Sequence, residues 1–447
     1  MPVQRAIREL IYPIHRFLTL EAFGGLLLIA SAGLAMALAN SGIGSSYEQF
    51  WQTSIGLHLG NFQYANTLHF FINHGLMTLF FLFIGLQIKK EILIGALASR
   101  KRASLPLFSA IGGIILPALI YLLINHPGTV ASKGWGIPIA TDIAFVMGVL
   151  MVLGKRIPLA LKIFLMALAV ADDLGGILVI TFFYSGTLAW LNLGIAGGLV
   201  VILLLLSLLD YRQMPPYLLL GALLWMALLH SGIPSTIAGV LLAATIPSKP
   251  LIYPKDFGRE TRKVLDEFKV LKANNVDILH HNEYQAGIYT LTSHCRNALT
   301  PLQHLINILH PWVNFLILPV FALANAGIPM HGANLLDAYQ SSITWGILAG
   351  LCLGKPLGIS LSAWLAIRFK WASLPKGITL LQLIAASFLG GISFTMALFI
   401  SYLAFPGSTA LLYAKFGIFT ASLIAVSLGC LGLKYTMNQR EHEHARL

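Results

Sequence analysis

Long apolar runs separated by short polar interruptions dominate the chain. A hydrocarbon core of about 30 Å needs roughly 20 apolar residues per helix, and runs of that order recur about twelve times. They fall near 21–40, 66–87, 105–124, 136–153, 159–183, 190–209, 216–230, 233–246, 310–327, 343–366, 379–404 and 411–433. The seventh and eighth are short, with only His230, Ser231 and Gly232 between them. The first run exceeds the h-region of about 7–15 residues found in a cleaved leader. Ala37-Leu38-Ala39 is therefore expected to stay in the mature chain as part of a span. The pattern predicts an all-α polytopic membrane protein folded as a single domain over 1–447. Two stretches break it. Residues 41–65 carry no Lys or Arg and several aromatics, and are expected to be an outside loop with a candidate hairpin. Residues 248–309 are a long polar stretch of mixed charge containing His280-His281. A metal site there would need more nearby ligands, so a partly helical cytoplasmic linker is the expectation, with a regulatory binding module as its rival.

Composition narrows the class. Hydrophobic residues make up 57% of the chain and charged residues 10%, with a mean hydropathy of +0.78. A soluble domain carries about 25% charged residues, so too few remain here to cover a water-facing surface. Cys295, Cys352 and Cys430 lie far apart and form neither a metal-ligand spacing nor a disulfide framework. The formal charge of +12 has a topological cause, because Lys and Arg stay on the cytoplasmic side. With the N-terminus inside and loops alternating, Arg5, Arg8, Arg16, Lys89, Lys90, Arg100–Arg102, Lys155, Arg156 and Arg212 fall inside. So do the basic residues from Lys249 to Arg296, then Arg368, Lys370, Lys376, Lys434, Arg440 and Arg446. Lys133 alone falls in an outside loop. Twelve spans with both termini inside fit this distribution, and nucleic-acid binding is not needed to explain it.

Four charges sit in the middle of spans. Asp142 lies near the centre of 136–153, Asp172 and Asp173 at the centre of 159–183, and Lys355 at that of 343–366. Each costs about 2.5–3.5 kcal/mol at a helix centre, so they are expected to face one another inside the bundle. A static ion pair explains Lys355 with one aspartate. It does not explain three carboxylates against one ammonium, which leave surplus negative charge for a proton or a metal cation. Asp172 and Asp173 project about 100° apart on a helix, so one partner cannot serve both equally. Carboxylates held this way bind protons and small hard cations in competition.

The spans carrying this charge are interrupted. Gly136-Ile137-Pro138-Ile139-Ala140-Thr141-Asp142 breaks the fourth, because proline removes an amide donor and disfavours helix before it. The Thr141 hydroxyl and freed carbonyls can join a cation's oxygen shell. Leu389-Gly390-Gly391-Ile392-Ser393-Phe394-Thr395-Met396 is the matching break in the eleventh, with close helix packing on glycine as the alternative reading. Each break lies in the middle of a triplet of spans, three–four–five and ten–eleven–twelve, which points to inverted repeats around a midplane site.

Ala140-Thr141-Asp142-Ile143-Ala144-Phe145 and Leu165-Met166-Ala167-Leu168-Ala169-Val170-Ala171-Asp172-Asp173-Leu174-Gly175 resemble the signature of NhaA-type sodium/proton antiporters. So do Leu318-Pro319-Val320-Phe321-Ala322-Leu323-Ala324-Asn325-Ala326-Gly327, Gly354-Lys355-Pro356-Leu357-Gly358 and Gly391-Ile392-Ser393-Phe394-Thr395-Met396. That family is itself one of the known cases of inverted repeats. The resemblance implies a bacterial inner-membrane antiporter of twelve helices, with spans 4 and 11 crossing as broken helices. It implies electrogenic exchange of Na+ or Li+ for H+, with no cofactor beyond the transported ions. Asp172 and Asp173 would hold Na+ and protons, with Thr141 nearby. Asp142 would offset the positive half-helix ends, and Lys355 the negative ends, or else pair with Asp172. A homodimer through 45–64 is also implied. Gln87, Lys90, Glu91 and His310 match the family's pH-response region. Gln87 stands where an acidic residue is typical, Pro234 replaces a histidine and Ile306 a glutamate, so the departures gather away from the ion site. Another cation/proton or substrate/proton antiporter on this scaffold is the alternative. An aspartyl intramembrane protease fits poorly, since Gly-x-Gly-Asp is absent and the two aspartates are adjacent.

Overall fold

The computed structural model describes residues 23–59, 62–154, 157–250, 254–273, 282–329, 333–375 and 377–444. The N-terminal arginines, Lys155, Arg156, His280, His281, Lys376 and Arg446 lie outside the described residues. The described chain is helical throughout except for one two-stranded sheet. Helix α1 (Phe23–Ala39) turns through 114° into the short α2 (Gly44–Gln52). An antiparallel hairpin follows, β1 (Ser54–Leu59) with β2 (Phe62–Thr67), in register from Ser54↔Thr67 to Leu59↔Phe62. The Thr67 hydroxyl accepts from Phe70 N–H and starts α3 (Leu68–Leu93). Then come α4 (Arg100–Ile124), a 3-10 helix (Ala131–Ile139), α5 (Ile143–Val152), α6 (Leu159–Phe183), α7 (Trp190–Leu208), α8 (Met214–Leu229) and α9 (Ile237–Thr245). The polar stretch holds α10 (Pro254–Ala273) and α11 (Asn282–Ala298). The chain ends with α12 (Pro301–Asn325), α13 (Ala333–Gln340), α14 (Ser342–Arg368), α15 (Leu380–Leu389), α16 (Thr395–Ala404) and α17 (Thr409–His444). Seven of these helices are long and apolar enough to cross a membrane, and up to nine spans result if each of two bent pairs counts as one.

Several helices start earlier than hydropathy suggests. α12 begins at Pro301, where the Thr300 hydroxyl accepts from Gln303 N–H at 3.1 Å, and α4 begins at Arg100. α4 opens on the basic turn Arg100-Lys101-Arg102, and α12 on turns that mix Gln303, His304 and Asn307 among apolar residues, so both starts lie beyond the apolar runs. The linkage of α8 and α9 differs the other way. Gly232 takes φ +86°, and the turns through Pro234, Ser235 and Thr236 delay α9 to Ile237. The freed carbonyls there are not wasted: Ser231 O accepts from Ala189 N–H and Gly232 O from Gly186 N–H.

α4 and α14 approach each other closely. A Cβ on Gly112 would lie 2.3 Å from Gly358 O, and one on Gly358 would lie 2.2 Å from Gly112 O. Small residues let backbones approach where lipid supplies no hydrophobic drive between helices. This contact seats the turn of α14 that carries Lys355. Gly112→Val should therefore destabilise the protein by about 1–3 kcal/mol, read as a fall in melting temperature in detergent. Gly33→Val, at a position with open space around it, should change little.

Candidate functional site

The 3-10 helix and α5 form the second bent pair, with a 50° change of direction across Ala140, Thr141 and Asp142. The break between α15 and α16 spans Gly390 to Phe394. The two unwound stretches meet directly, with Asp142 N–H donating to Ile392 O at 2.9 Å. Breaking two helices here frees backbone groups that no water in a bilayer would satisfy, and the sequence-predicted side chains satisfy them.

Asp142 serves both N-terminal ends. One carboxylate oxygen accepts from Phe145 N–H at 3.1 Å, capping α5. The other accepts from Thr395 N–H at 2.9 Å and Thr395 Oγ1 at 2.6 Å, at the start of α16. A negative charge between two helix N-termini is where the helix dipoles favour one. Lys355 does the opposite: its Nζ donates to Ile139 O, at the C-terminal end of the 3-10 helix. Nζ also pairs with Asp172 at 2.8 Å, and both side chains are fully buried. Thr141 Oγ1 lies 2.7 Å from the same Asp172 oxygen and 2.9 Å from Gly390 O, the carbonyl that ends α15. A hydroxyl has one proton, so these two acceptors compete for it.

Asp173 is left out of this network. It is 2% exposed, and its Oδ1 has no hydrogen-bond partner among the described residues. Its side chain lines a cavity of about 30 Å³ together with Thr141, Asp142, Thr395, Asn314 and Gln87. That volume holds a water-sized occupant. Adjacent aspartates thus meet opposite surroundings, one paired with an ammonium and one facing a small void.

The residues expected to respond to pH are only partly gathered. Gln87 lines the cavity. His310 is buried, with its Nε2 at 3.3 Å from Asn314 Nδ2 and the Phe83 ring at 5.8 Å. Glu91 instead accepts from Ala96 N–H at 2.7 Å, closing the end of α3. Lys90 is half-buried one turn beyond Gln87. Pro234 lies in the turn before α9, and Ile306 is buried in α12. Two polar residues escaped the sequence reading. Lys89 Nζ donates to Ala244 O at 2.6 Å and Ile246 O at 2.5 Å, satisfying the end of α9. Asn314 lines the cavity from a π-helical turn, Val313–Ile317. A lone amide four residues after His310 in an apolar run was the available signal.

Seven or more spans around a buried, charge-compensated crossing of broken helices define a multi-pass membrane protein of the carrier class. Residues 15–433 match the family described as Na+/H+ antiporter 1. A protein named Na(+)/H(+) antiporter NhaA from Oleidesulfovibrio alaskensis is 42% identical over 98% of this chain and 97% of its own length. Namesakes from Salmonella paratyphi A and Syntrophobacter fumaroxidans are also 42% identical, over 95% and 97% of this chain and 98% and 92% of theirs. The chain belongs to the Na+/H+ antiporter 1 family, whose relatives named here are transporters.

Removing one partner of a buried ion pair costs about 3–5 kcal/mol, whereas replacing both with apolar groups is often neutral. Lys355→Met should therefore destabilise the protein strongly, and Lys355→Met with Asp172→Leu should recover much of the loss. Thermal unfolding of the purified single and double variants measures this.

Proposed function

We propose that this chain exchanges Na+, or Li+, for H+ across the bacterial inner membrane, with protons and the cation competing for Asp173 and, through its ion pair, Asp172. The observation that carries the reading is the unequal treatment of the two aspartates. Asp172 has its charge compensated by Lys355 at 2.8 Å. Asp173 is buried beside a cavity with no compensating partner among the described residues. An uncompensated carboxylate in that environment is held either as the acid or by a cation, and the two occupants exclude each other. Thr141 supplies a neutral oxygen. Asp142 and Lys355 hold the crossing together while the carboxylates change partners.

The cavity lies toward the cytoplasmic half of the bundle in this reading. Gln87 places the cavity near the end of α3 that carries Lys89 and Lys90, which the distribution of basic residues assigns to the cytoplasm. Toward the hairpin end, α3, α12 and α16 carry buried Met77, Phe81, Phe321 and Phe399, with the Phe81 and Phe399 rings 5.3 Å apart. Sodium arriving from the cytoplasm displaces protons. After the cavity turns outward, protons reload the carboxylates and sodium leaves. The family likeness supports twelve spans arranged as inverted repeats with both termini inside, and electrogenic exchange with more protons than sodium per cycle. A homodimer through 45–64 is supported by the two-stranded hairpin, whose outer strand edges can pair with a second copy. Residues 248–309 act as a cytoplasmic linker. Gln87, Lys90, Glu91 and His310 form the region that sets the pH response.

The test is proton movement in proteoliposomes holding a preset pH gradient, on addition of Na+, Li+ or K+. Collapse of the gradient with Na+ and Li+, absent with K+ and absent in Asp173→Asn, is expected. Full activity in a correctly inserted Asp173→Asn overturns the site assignment, and indifference to Na+ and Li+ from mildly acidic to alkaline pH points to another substrate.

A further inference from the structure

We infer that Asn314 is a neutral cation ligand of the Asp173 cavity, supplying an amide oxygen that sets cation affinity without taking part in proton binding. This rests on the exchange reading above and adds to it a residue that the motifs do not contain. Asn314 is 5% exposed and lines the cavity with Asp173 and Thr141. It lies in the π-helical turn Val313–Ile317, a kind of irregularity that collects at functional sites because it re-aims side chains.

Two neighbours fix its orientation. On its own helix, His310 Nε2 faces the amide nitrogen at 3.3 Å. With the nitrogen so engaged, Oδ1 accepts no hydrogen bond among the described residues. From α1, Gly24 closes the remaining side: a Cβ there would sit 2.8 Å from Asn314 Cβ. The amide is thus packed behind and held at its donor end, and its oxygen is the atom left for the void.

The chemistry of the cavity needs such a group. Small hard cations take shells of oxygen atoms. Of the three carboxylates, Asp172 is paired with Lys355 in this conformation and Asp142 with the helix ends. In this conformation Asp173 alone faces the void without a paired charge, so a further ligand that does not itself bind protons is a neutral one. Added carboxylates would bring more proton binding with them. An amide oxygen raises cation affinity alone, which shifts the competition toward the cation at every pH by the same factor.

The experiment compares wild type with Asn314→Leu, a variant with the same branched heavy-atom skeleton but no oxygen, in two measurements. One is the Na+ concentration giving half-maximal proton flux in proteoliposomes across a range of pH. The other is Na+-dependent thermal stabilisation of the purified protein. The expected result is a rise of about tenfold in half-saturating Na+ in both, with the pH profile at saturating Na+ unchanged. Unchanged half-saturation in an inserted variant overturns the inference. So does an affinity loss accompanied by an equal displacement of the pH profile, because the variant would then have disturbed the carboxylates. Should Asn314→Leu not insert, Asn314→Ala is read by the same criteria, with Asn314→Ser expected to lie between it and wild type. Failure of the exchange reading itself appears separately, as wild type that ignores Na+ or Asp173→Asn that retains exchange.

Discussion

A bilayer core offers no hydrogen bonds, so a helix can be interrupted there only where the protein itself satisfies every freed backbone group. The rest of this structure depends on that constraint. The Asp142 carboxylate takes the amides that start α5 and α16, while the Lys355 ammonium takes a carbonyl that ends the 3-10 helix. Neither charge is tolerable alone in hydrocarbon. Each is tolerable because it replaces water for a broken helix, and each break is tolerable because of the charge. The glycines that bring α4 against α14 then hold the ammonium at the level of the crossing.

Once the crossing is built, the difference between Asp172 and Asp173 follows from helix geometry. Neighbours on a helix point about 100° apart, so a single ammonium can reach one and not the other. The paired aspartate is locked into the scaffold's own charge balance. Its neighbour inherits the burial without the compensation. The surplus charge expected from three carboxylates and one lysine is thereby concentrated on one side chain beside one small void.

Much of this was legible in the sequence, for identifiable reasons. Charge in an apolar run is costly enough to be conspicuous, so Asp142, Asp172, Asp173 and Lys355 declared themselves, and Pro138 and Gly390-Gly391 marked the breaks. The residues alone did not tell which aspartate Lys355 would choose, because that depends on how α14 is rotated and seated against α4; the family resemblance offered Asp172, the partner it has. Hydropathy also misplaced the starts of α4 and α12, whose first turns are basic in α4 and mix polar with apolar residues in α12. Lys89 and Asn314 were missed for a related reason. A lysine at the end of a span reads as a topological marker, and its three-dimensional partner, the end of α9, lies more than 150 residues away. A single asparagine in an apolar helix carries no motif, and only the cavity beside it gives it meaning.

The Thr141 hydroxyl, placed between an Asp172 oxygen and the Gly390 carbonyl, makes the crossing a two-position latch. While Asp172 is ionised, the carboxylate is the stronger acceptor and draws the proton of the hydroxyl. When Asp172 loses its charge, the advantage passes to the carbonyl, and the end of α15 is gripped more tightly. A change in the charge of one carboxylate would in this way be converted, through a single O–H bond, into a change in the hold between the two broken helices.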